Sequence, residues 1–157
     1  MALMRTSKRF QRVKAQRLRH MSEIKARVGV KLPEKSEYCN LPLVYSCSGC
    51  SSAAQLANSL AIRLDRERLA EMSCIAGVGG GVRSLVKTAQ SGRKVIVMDG
   101  CSLHCAKLCL DRYGVFVNVH IDLSKARVKR RFHQDATPEE GLHVWSTAVL
   151  PEIRRLS

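Results

Sequence analysis

The sequence predicts an α/β fold: a single small three-layer domain with a parallel four-stranded sheet and cysteine-bearing loops at the carboxyl ends of the strands. Three observations favour this fold. From about residue 40 onward, apolar stretches alternate with segments that have a helical period. The connections are short, as expected for right-handed crossovers between parallel strands. Finally, six of the seven cysteines lie at three places where an apolar stretch ends in a turn of small residues.

The first half of this pattern contains two strands and two helices. Residues 41–46 (LPLVYS) predict a buried strand, and residues 51–64 place alanines and leucines on one face at helical spacing. Residues 69–75 predict a shorter strand, which has the weakest pattern of the four. Residues 82–89 follow a run of glycines and predict a second amphipathic helix.

The second half continues the alternation. Residues 95–98 (VIVM) give the clearest strand, and residues 102–113 predict a helix that stops at a glycine. Residues 115–121 (VFVNVHI) predict the fourth strand. A capping residue, a proline and a capping-box acid then start a last helix over residues 137–150, which is expected to end before the next proline.

The positive charge is concentrated near the amino terminus. The chain of 157 residues carries 27 Lys/Arg against 13 Asp/Glu, a formal net charge of +14. Residues 1–35 hold 11 of these basic residues against Glu23 and Glu34, which gives that segment a net charge of +9. We therefore divide the chain into a basic, flexible N-terminal extension (1–35) and a metal-binding α/β domain (40–157).

The role of this extension is open at the sequence level. It could contact nucleic-acid phosphates, direct the protein to an organelle or form a solvated tail, and translation could also begin at Met21. The low aromatic content (4%) argues against a nucleic-acid reader. No apolar run reaches the length of a membrane span, and no secretion signal follows the basic start. Tightly spaced cysteines, odd in number, indicate a reducing compartment, so we expect a cytoplasmic protein without membrane contact.

The cysteines form the main candidate site. Cys47 and Cys50 follow the first predicted strand, Cys74 follows the second, and Cys101 and Cys105 follow the third. Because the carboxyl ends of parallel strands meet at one edge of a sheet, we expect these three turns to converge there. The pattern therefore predicts one thiolate site built from three loops.

Several neighbouring residues receive simpler interpretations. Cys39 precedes the first strand, and Cys109 is expected to pack on the sheet as a small apolar residue. Asp99 is interpreted as an acceptor for a loop N–H group. We expect His104 on the surface, pointing outward, and His120 is a weaker alternative ligand.

Two further motifs have plain explanations. The glycines of residues 77–81 lack the ending of a P-loop and the spacing of a dinucleotide fingerprint, and are expected to let the backbone pass close to the cysteine site. The basic segment 125–131 (KARVKRR) could bind an anionic ligand, although a solvated loop is the simpler interpretation.

Thiolates bind soft or borderline metals, and four of them around one ion make the closed tetrahedral site of structural zinc. The same thiolates would suit an iron–sulfur cluster. Cys47 and Cys50 also form a CxxC pair that could cycle as a disulfide. No nucleophile–base arrangement stands out in the sequence, so whether the protein is an enzyme is uncertain, and we lean against it.

Three linked segments resemble the DGC domain family, for which zinc binding has been proposed. They are CSGCSSAAQLAN, AEMSCIAGVGG and DGCSLHCAKLCL with the following VHIDL, and the similarity covers about residues 43–132. The resemblance implies a small α/β domain whose zinc ligands would be Cys47, Cys74, Cys101 and Cys105. Cys50 departs from the family pattern, which often has a small residue there, and its thiol could compete for the metal.

The sequence thus predicts a zinc-binding protein with a multi-cysteine site and no identified catalytic activity. Two alternatives stay open: an iron–sulfur or CxxC thiol-redox protein, and a metal-responsive regulatory or nucleic-acid-binding module. The expected partners are the metal ion and an unidentified protein, with nucleic acid at the basic extension less favoured.

Overall fold

The computed structural model describes residues 38–156. The predicted basic extension (1–35) lies outside these residues, and the predicted domain boundaries stay predictions. The strands and helices occur in the order β1 (Leu43–Ser46), α1 (Ser52–Arg66), β2 (Glu71–Met72), α2 (Ile75–Gly79), α3 (Arg83–Ala89), β3 (Val95–Asp99), α4 (Cys105–Asp111), β4 (Val119–Asp122), α5 (Pro138–Val144), a π-helical turn (Trp145–Val149) and α6 (Leu150–Leu156).

The four strands are all parallel and form one sheet in the order β2-β1-β3-β4. The chain leaves β1 toward β2 on one side and then crosses to β3 and β4 on the other, so the direction of winding reverses between β1 and β3. With right-handed crossovers, this reversal places α1 on one face of the sheet and α3 and α4 on the opposite face. The predicted three-layer α/β fold is confirmed.

The two central strands are buried along their whole length. Every residue of β1 and of β3 is buried, and both strands are rich in Val, Leu and Ile. A parallel sheet covered by helices on both faces favours such continuous apolar runs over an alternating pattern. This explains why these two strands were the easiest to recognise in the sequence.

Helix α1 packs closely on the centre of the sheet. The Ser51 Oγ caps it by accepting the N–H of Ala54 at 3.3 Å. The first residue of the helix, Ser52, is also held, because its N–H donates to the Arg131 carbonyl at 2.9 Å. The buried face of α1 consists largely of alanines and leucines at helical spacing: Ala53, Leu56, Ala57, Leu60, Ala61 and Leu64.

Two predicted strands are shorter than expected. β2 pairs only two residues with β1 at the edge of the sheet. β4 begins at Val119 rather than at residue 115, because Asn118 ends the irregular segment before it. The Asn118 side-chain oxygen accepts the Val95 N–H at 2.8 Å, and the Asn118 N–H donates to the Val95 carbonyl at 2.9 Å.

The glycine-rich segment, expected as a turn, instead contains the short helix α2. Its glycines lie within or directly after this helix, and Gly81 adopts a φ of +73° at the connection to α3. Helix α4 also differs from the prediction, since it begins at Cys105 and not at residue 102. His104, at a φ of +50°, has a left-handed backbone conformation that prevents the helix from starting earlier.

The C-terminal helical segment continues through Pro151, where the sequence predicted an end. Proline lacks an N–H and its ring crowds the carbonyl four residues earlier. The π-helical turn directly before α6 widens the backbone at that point, with the Leu150 N–H donating to the Trp145 carbonyl. The wider turn lets the chain accommodate the proline without breaking the helix.

Candidate functional site

The candidate site lies at the carboxyl edge of the sheet, where the winding reverses. In open α/β sheets, ligands bind outside the carboxyl ends of the strands at this switch point. Cys47 directly follows β1, and Gly100 and Cys101 directly follow β3, so these residues flank the reversal on both sides. Cys74 lies two residues after β2, at the same edge.

Cys47 is the buried thiol of the site. Its side chain is 7% exposed, and its Sγ accepts the Gly100 N–H at 3.0 Å. Burial raises the pKa of this thiol to about 11, against the lowering effect of the Gly100 hydrogen bond. Asp99, Cys101 and Cys105, when ionised, raise the pKa of Cys47 further.

Cys101 and Cys105 do not share a helix, because α4 begins only at Cys105. Cys101 is half-buried in the turn after β3, and Cys105 is exposed as the first residue of α4. The left-handed backbone at His104 separates them. The two thiols therefore lie at either end of the short connection from β3 to α4, and the left-handed backbone of His104 shapes this connection.

Cys74 caps the short helix α2. Its Sγ accepts the Gly77 N–H at 3.4 Å, and its side chain is exposed. The Tyr45 hydroxyl is fully buried. Burial raises the pKa of Tyr45 and outweighs the lowering effect of a hydrogen bond with the Ser73 side chain.

The remaining cysteines differ in position. Cys50 is exposed in the loop between β1 and α1. Cys109 is half-buried and its sulfur lies against α2, since a Cβ added at Gly79 would lie 3.0 Å from its Sγ. Cys39 lies before the amino end of β1, opposite the edge that carries the other thiols.

The loops that carry the thiols meet at one edge of the sheet, but their side chains do not form a group of metal ligands. Within residues 38–156, no three His, Cys, Asp or Glu side chains are arranged so that they could hold one metal ion. The assignment of Cys47, Cys74, Cys101, Cys105 and Cys50 as metal ligands therefore stays a prediction.

Next to the thiols, the structure shows a pair of Asp–His contacts that the sequence did not predict as a unit. Asp99 is fully buried and accepts the backbone N–H groups of Ala106 at 2.9 Å and Lys107 at 3.2 Å. The His120 Nε2 lies 3.0 Å from the same carboxylate. The predicted role of Asp99 as an acceptor of backbone N–H groups is confirmed, although the donors belong to α4.

The second contact joins the cysteine loop to β4. The His104 Nε2 lies 3.0 Å from the Asp122 carboxylate, which also accepts the N–H and hydroxyl of Ser124. Burial opposes the ionisation of Asp122, but the hydrogen bonds from His104 and Ser124 outweigh it and hold its pKa below the usual range. His104 is thus half-buried and anchored, and the expectation that it points outward is wrong.

The two contacts form one polar cluster. The His104 and His120 rings meet edge to face, with centroids 4.7 Å apart. Asp99 and Asp122 are register partners on β3 and β4, which explains why their histidines meet. A partial signal existed in the sequence, because Asp99 and His120 both lie at predicted strand ends. The sequence alone could not predict this pairing, because it depends on the register between β3 and β4.

The comparisons with known proteins identify the family. The DGC domain matches residues 43–148, more than half of the chain, and the protein belongs to this family. A curated relative, the anaerobic and virulence modulator AnvM of Pseudomonas aeruginosa, is 56% identical over 108 residues. That alignment covers 69% of this chain and 82% of the relative. No solved structure matches the chain. The predicted family is confirmed.

Among the residues described, none of the helices combines the length and apolar character needed to cross a membrane.

Proposed function

We propose that the protein is a regulatory zinc-binding protein, with the ion held by the thiolates of Cys47, Cys74, Cys101 and Cys105. The observation that carries the proposal is the hydrogen bond from the Gly100 N–H to the Cys47 Sγ. This bond joins the loops after β1 and β3 at the switch point of the sheet.

The chemistry of the donors fits zinc. Sulfur is a preferred ligand of Zn²⁺, and four thiolates complete the tetrahedral shell of a structural site. When bound, zinc would supply the positive charge that keeps the clustered thiols deprotonated. Cys47 shows why such a charge is needed: burial and the neighbouring negative charges raise its pKa to about 11, so it holds its proton at neutral pH.

The exposed thiols explain how a site can form without a preassembled group of ligands. Cys74 and Cys105 are exposed on separate loops, whereas Cys47 is fixed by burial and by Gly100. We infer that Cys47 and its loop provide the fixed part and that the metal draws in the other thiols, since metal binding is commonly coupled to local ordering. Cys50, exposed in the Cys47 loop, could replace one of them.

The relative supports a regulatory role. It is named an anaerobic and virulence modulator, and it shares 56% identity over most of its length with this chain. We propose that this protein also regulates, in the cytoplasm, where thiols remain reduced. Its zinc would hold three loops in one arrangement that a partner protein can recognise.

Metal analysis of freshly purified protein tests the zinc proposal. We expect about one zinc per chain, as for a closed four-thiolate site, and a marked loss of zinc in the Cys101→Ser variant. Cys39→Ser is the matched control, because residue 39 lies away from the candidate edge and its zinc content should match wild type. Circular dichroism of each variant verifies that the fold is retained.

Two results would contradict the zinc proposal. One is a zinc content far below one equivalent that Cys101→Ser leaves unaltered. The other is a brown protein with visible charge-transfer absorption after anaerobic purification, since that spectrum identifies an iron–sulfur cluster on the same thiolates.

A further inference from the structure

We propose that a groove beside β4 binds a small phosphate-bearing anion. This groove, here called the β4 groove, has a volume of about 440 Å³ and lies between the segment after β4 and the C-terminal helices. Small-molecule sites commonly fall within this range of volume. Its polar lining includes His120, Lys125, Arg127, His143, Thr147 and Arg155.

The charge of the β4 groove is not balanced by its own lining. The side chains of Lys125 and Arg127 have no hydrogen bond or ion pair to any residue between 38 and 156. The two carboxylates present are already engaged: Glu152 pairs with Arg155 at 2.6 Å, and Asp122 accepts from His104 and Ser124. Apart from its histidines, the lining carries three cations (Lys125, Arg127 and Arg155) against two carboxylates (Asp122 and Glu152), and the two cations without a partner among residues 38–156 are Lys125 and Arg127.

Two other basic side chains of the same segment make structural contacts. Arg131 forms an ion pair with Glu140 at the start of α5. The Arg130 guanidinium lies over the ring of Phe132, 4.7 Å from its centroid. These contacts account for the charges of Arg130 and Arg131. The side chains of Lys125, Arg127 and Lys129 make no such contact among residues 38–156, and of these three only Lys125 and Arg127 line the groove.

The backbone on both sides of the groove is unusual. Arg127 has a φ of +61°, a left-handed conformation that costs a non-glycine residue about 1–3 kcal/mol. The opposite wall contains Thr147 and Ala148, both from the π-helical turn. Single π turns occur frequently at functional sites. Strain on one wall and a π turn on the other are both expected where a chain is shaped around a ligand.

The available donors suit phosphate. A guanidinium offers a planar fork that matches phosphate oxygens, and a lysine adds a compact positive charge. The groove presents both kinds of side chain, because Lys125 and Arg127 lie two residues apart in the loop that lines it. His120 lines the groove and also contacts Asp99, so a bound anion would lie beside the polar cluster of Asp–His contacts.

Isothermal titration of the full chain with inorganic pyrophosphate, at physiological ionic strength, tests the inference. We expect saturable binding of one pyrophosphate per chain. In the double variant Lys125→Gln/Arg127→Gln, affinity should fall by roughly tenfold or more, the effect of losing charge-assisted hydrogen bonds.

The matched control is Lys129→Gln/Arg130→Gln. It removes the same charge from the same segment and keeps residues 1–35, whose basic residues could attract phosphate without specificity. We expect its affinity to remain close to wild type. The inference is overturned if wild type shows no saturable binding at millimolar pyrophosphate, or if both double variants lose affinity equally. Because the groove contains no cysteine, this outcome is independent of the zinc content.

Discussion

At the scale of single residues, Cys47 differs from the other thiols of the candidate site. It is buried, its sulfur accepts a backbone N–H, and three groups that carry negative charge when ionised surround it. Burial is the largest effect, and it favours the neutral thiol. The metal-free protein should therefore keep Cys47 protonated, and only a cation at the site would reverse this preference.

This leads to a prediction on reactivity. Because the thiolate is the nucleophile, Cys47 of the metal-free protein should react slowly with iodoacetamide at neutral pH and faster as the pH approaches 11. Cys50, exposed in the same loop, is the internal comparison. Tandem mass spectrometry of the labelled peptide distinguishes the two sites. Equal labelling of both at neutral pH would contradict the burial argument.

The same pKa links Cys47 to stability at alkaline pH. The folded protein keeps this proton up to about pH 11, whereas the unfolded chain releases it near pH 9. The stabilising contribution is thus complete below about pH 9 and is lost as the pH rises from 9 to 11, by about 2–3 kcal/mol in the metal-free protein.

At the scale of elements, the close packing of β3 against α1 positions the Cys47 and Cys101 loops. Gly100 lies directly against the backbone of α1. A Cβ at this residue would lie 2.5 Å from the Ala53 carbonyl atoms and 2.6 Å from the Ala54 nitrogen. Neither contact can be relieved by a side-chain rotation, because both involve backbone.

We therefore expect Gly100→Ala to lower the melting temperature, at a cost of about 1–3 kcal/mol or more, because α1 must move away from the sheet. Gly49→Ala is the matched control in the neighbouring loop, where the closest atom to an added Cβ is the Ala54 Cβ at 3.9 Å. Thermal denaturation followed by circular dichroism compares the two. A Gly100→Ala variant as stable as Gly49→Ala would show that the packing is looser than described.

The elements also show which parts of the fold a sequence can predict. β1 and β3 could be recognised because burial on both faces demands continuous apolar residues. The start of β4 could not, since it depends on the Asn118 hydrogen bonds to Val95 on another strand. The start of α4 was missed for a similar reason: His104 holds a left-handed backbone while its ring contacts β4.

At the scale of the whole molecule, the convergence of the cysteine loops followed from topology alone. Parallel strands place all their carboxyl ends at one edge, so the position of Cys47, Cys74 and Cys101 required only the strand assignments. Predicting the Asp–His cluster would have required more than the strand assignments. It depends on the register that sets Asp99 beside Asp122, and no local pattern in the sequence encodes that register.

The β4 groove was even less accessible to sequence reasoning. The basic segment 125–131 looked uniform in the sequence. Only the fold shows that Arg131 forms an ion pair with Glu140 and that Lys125 and Arg127 line the β4 groove. The cysteine edge and the β4 groove share one neighbour, the Asp99–His120 pair.

The most direct test of the zinc site is X-ray absorption at the zinc edge of the purified protein. The proposed ligands predict a first shell of four sulfur atoms at about 2.3 Å and no nitrogen or oxygen ligand. A first shell dominated by nitrogen or oxygen at about 2.0–2.1 Å would contradict a four-thiolate site built from the three cysteine loops.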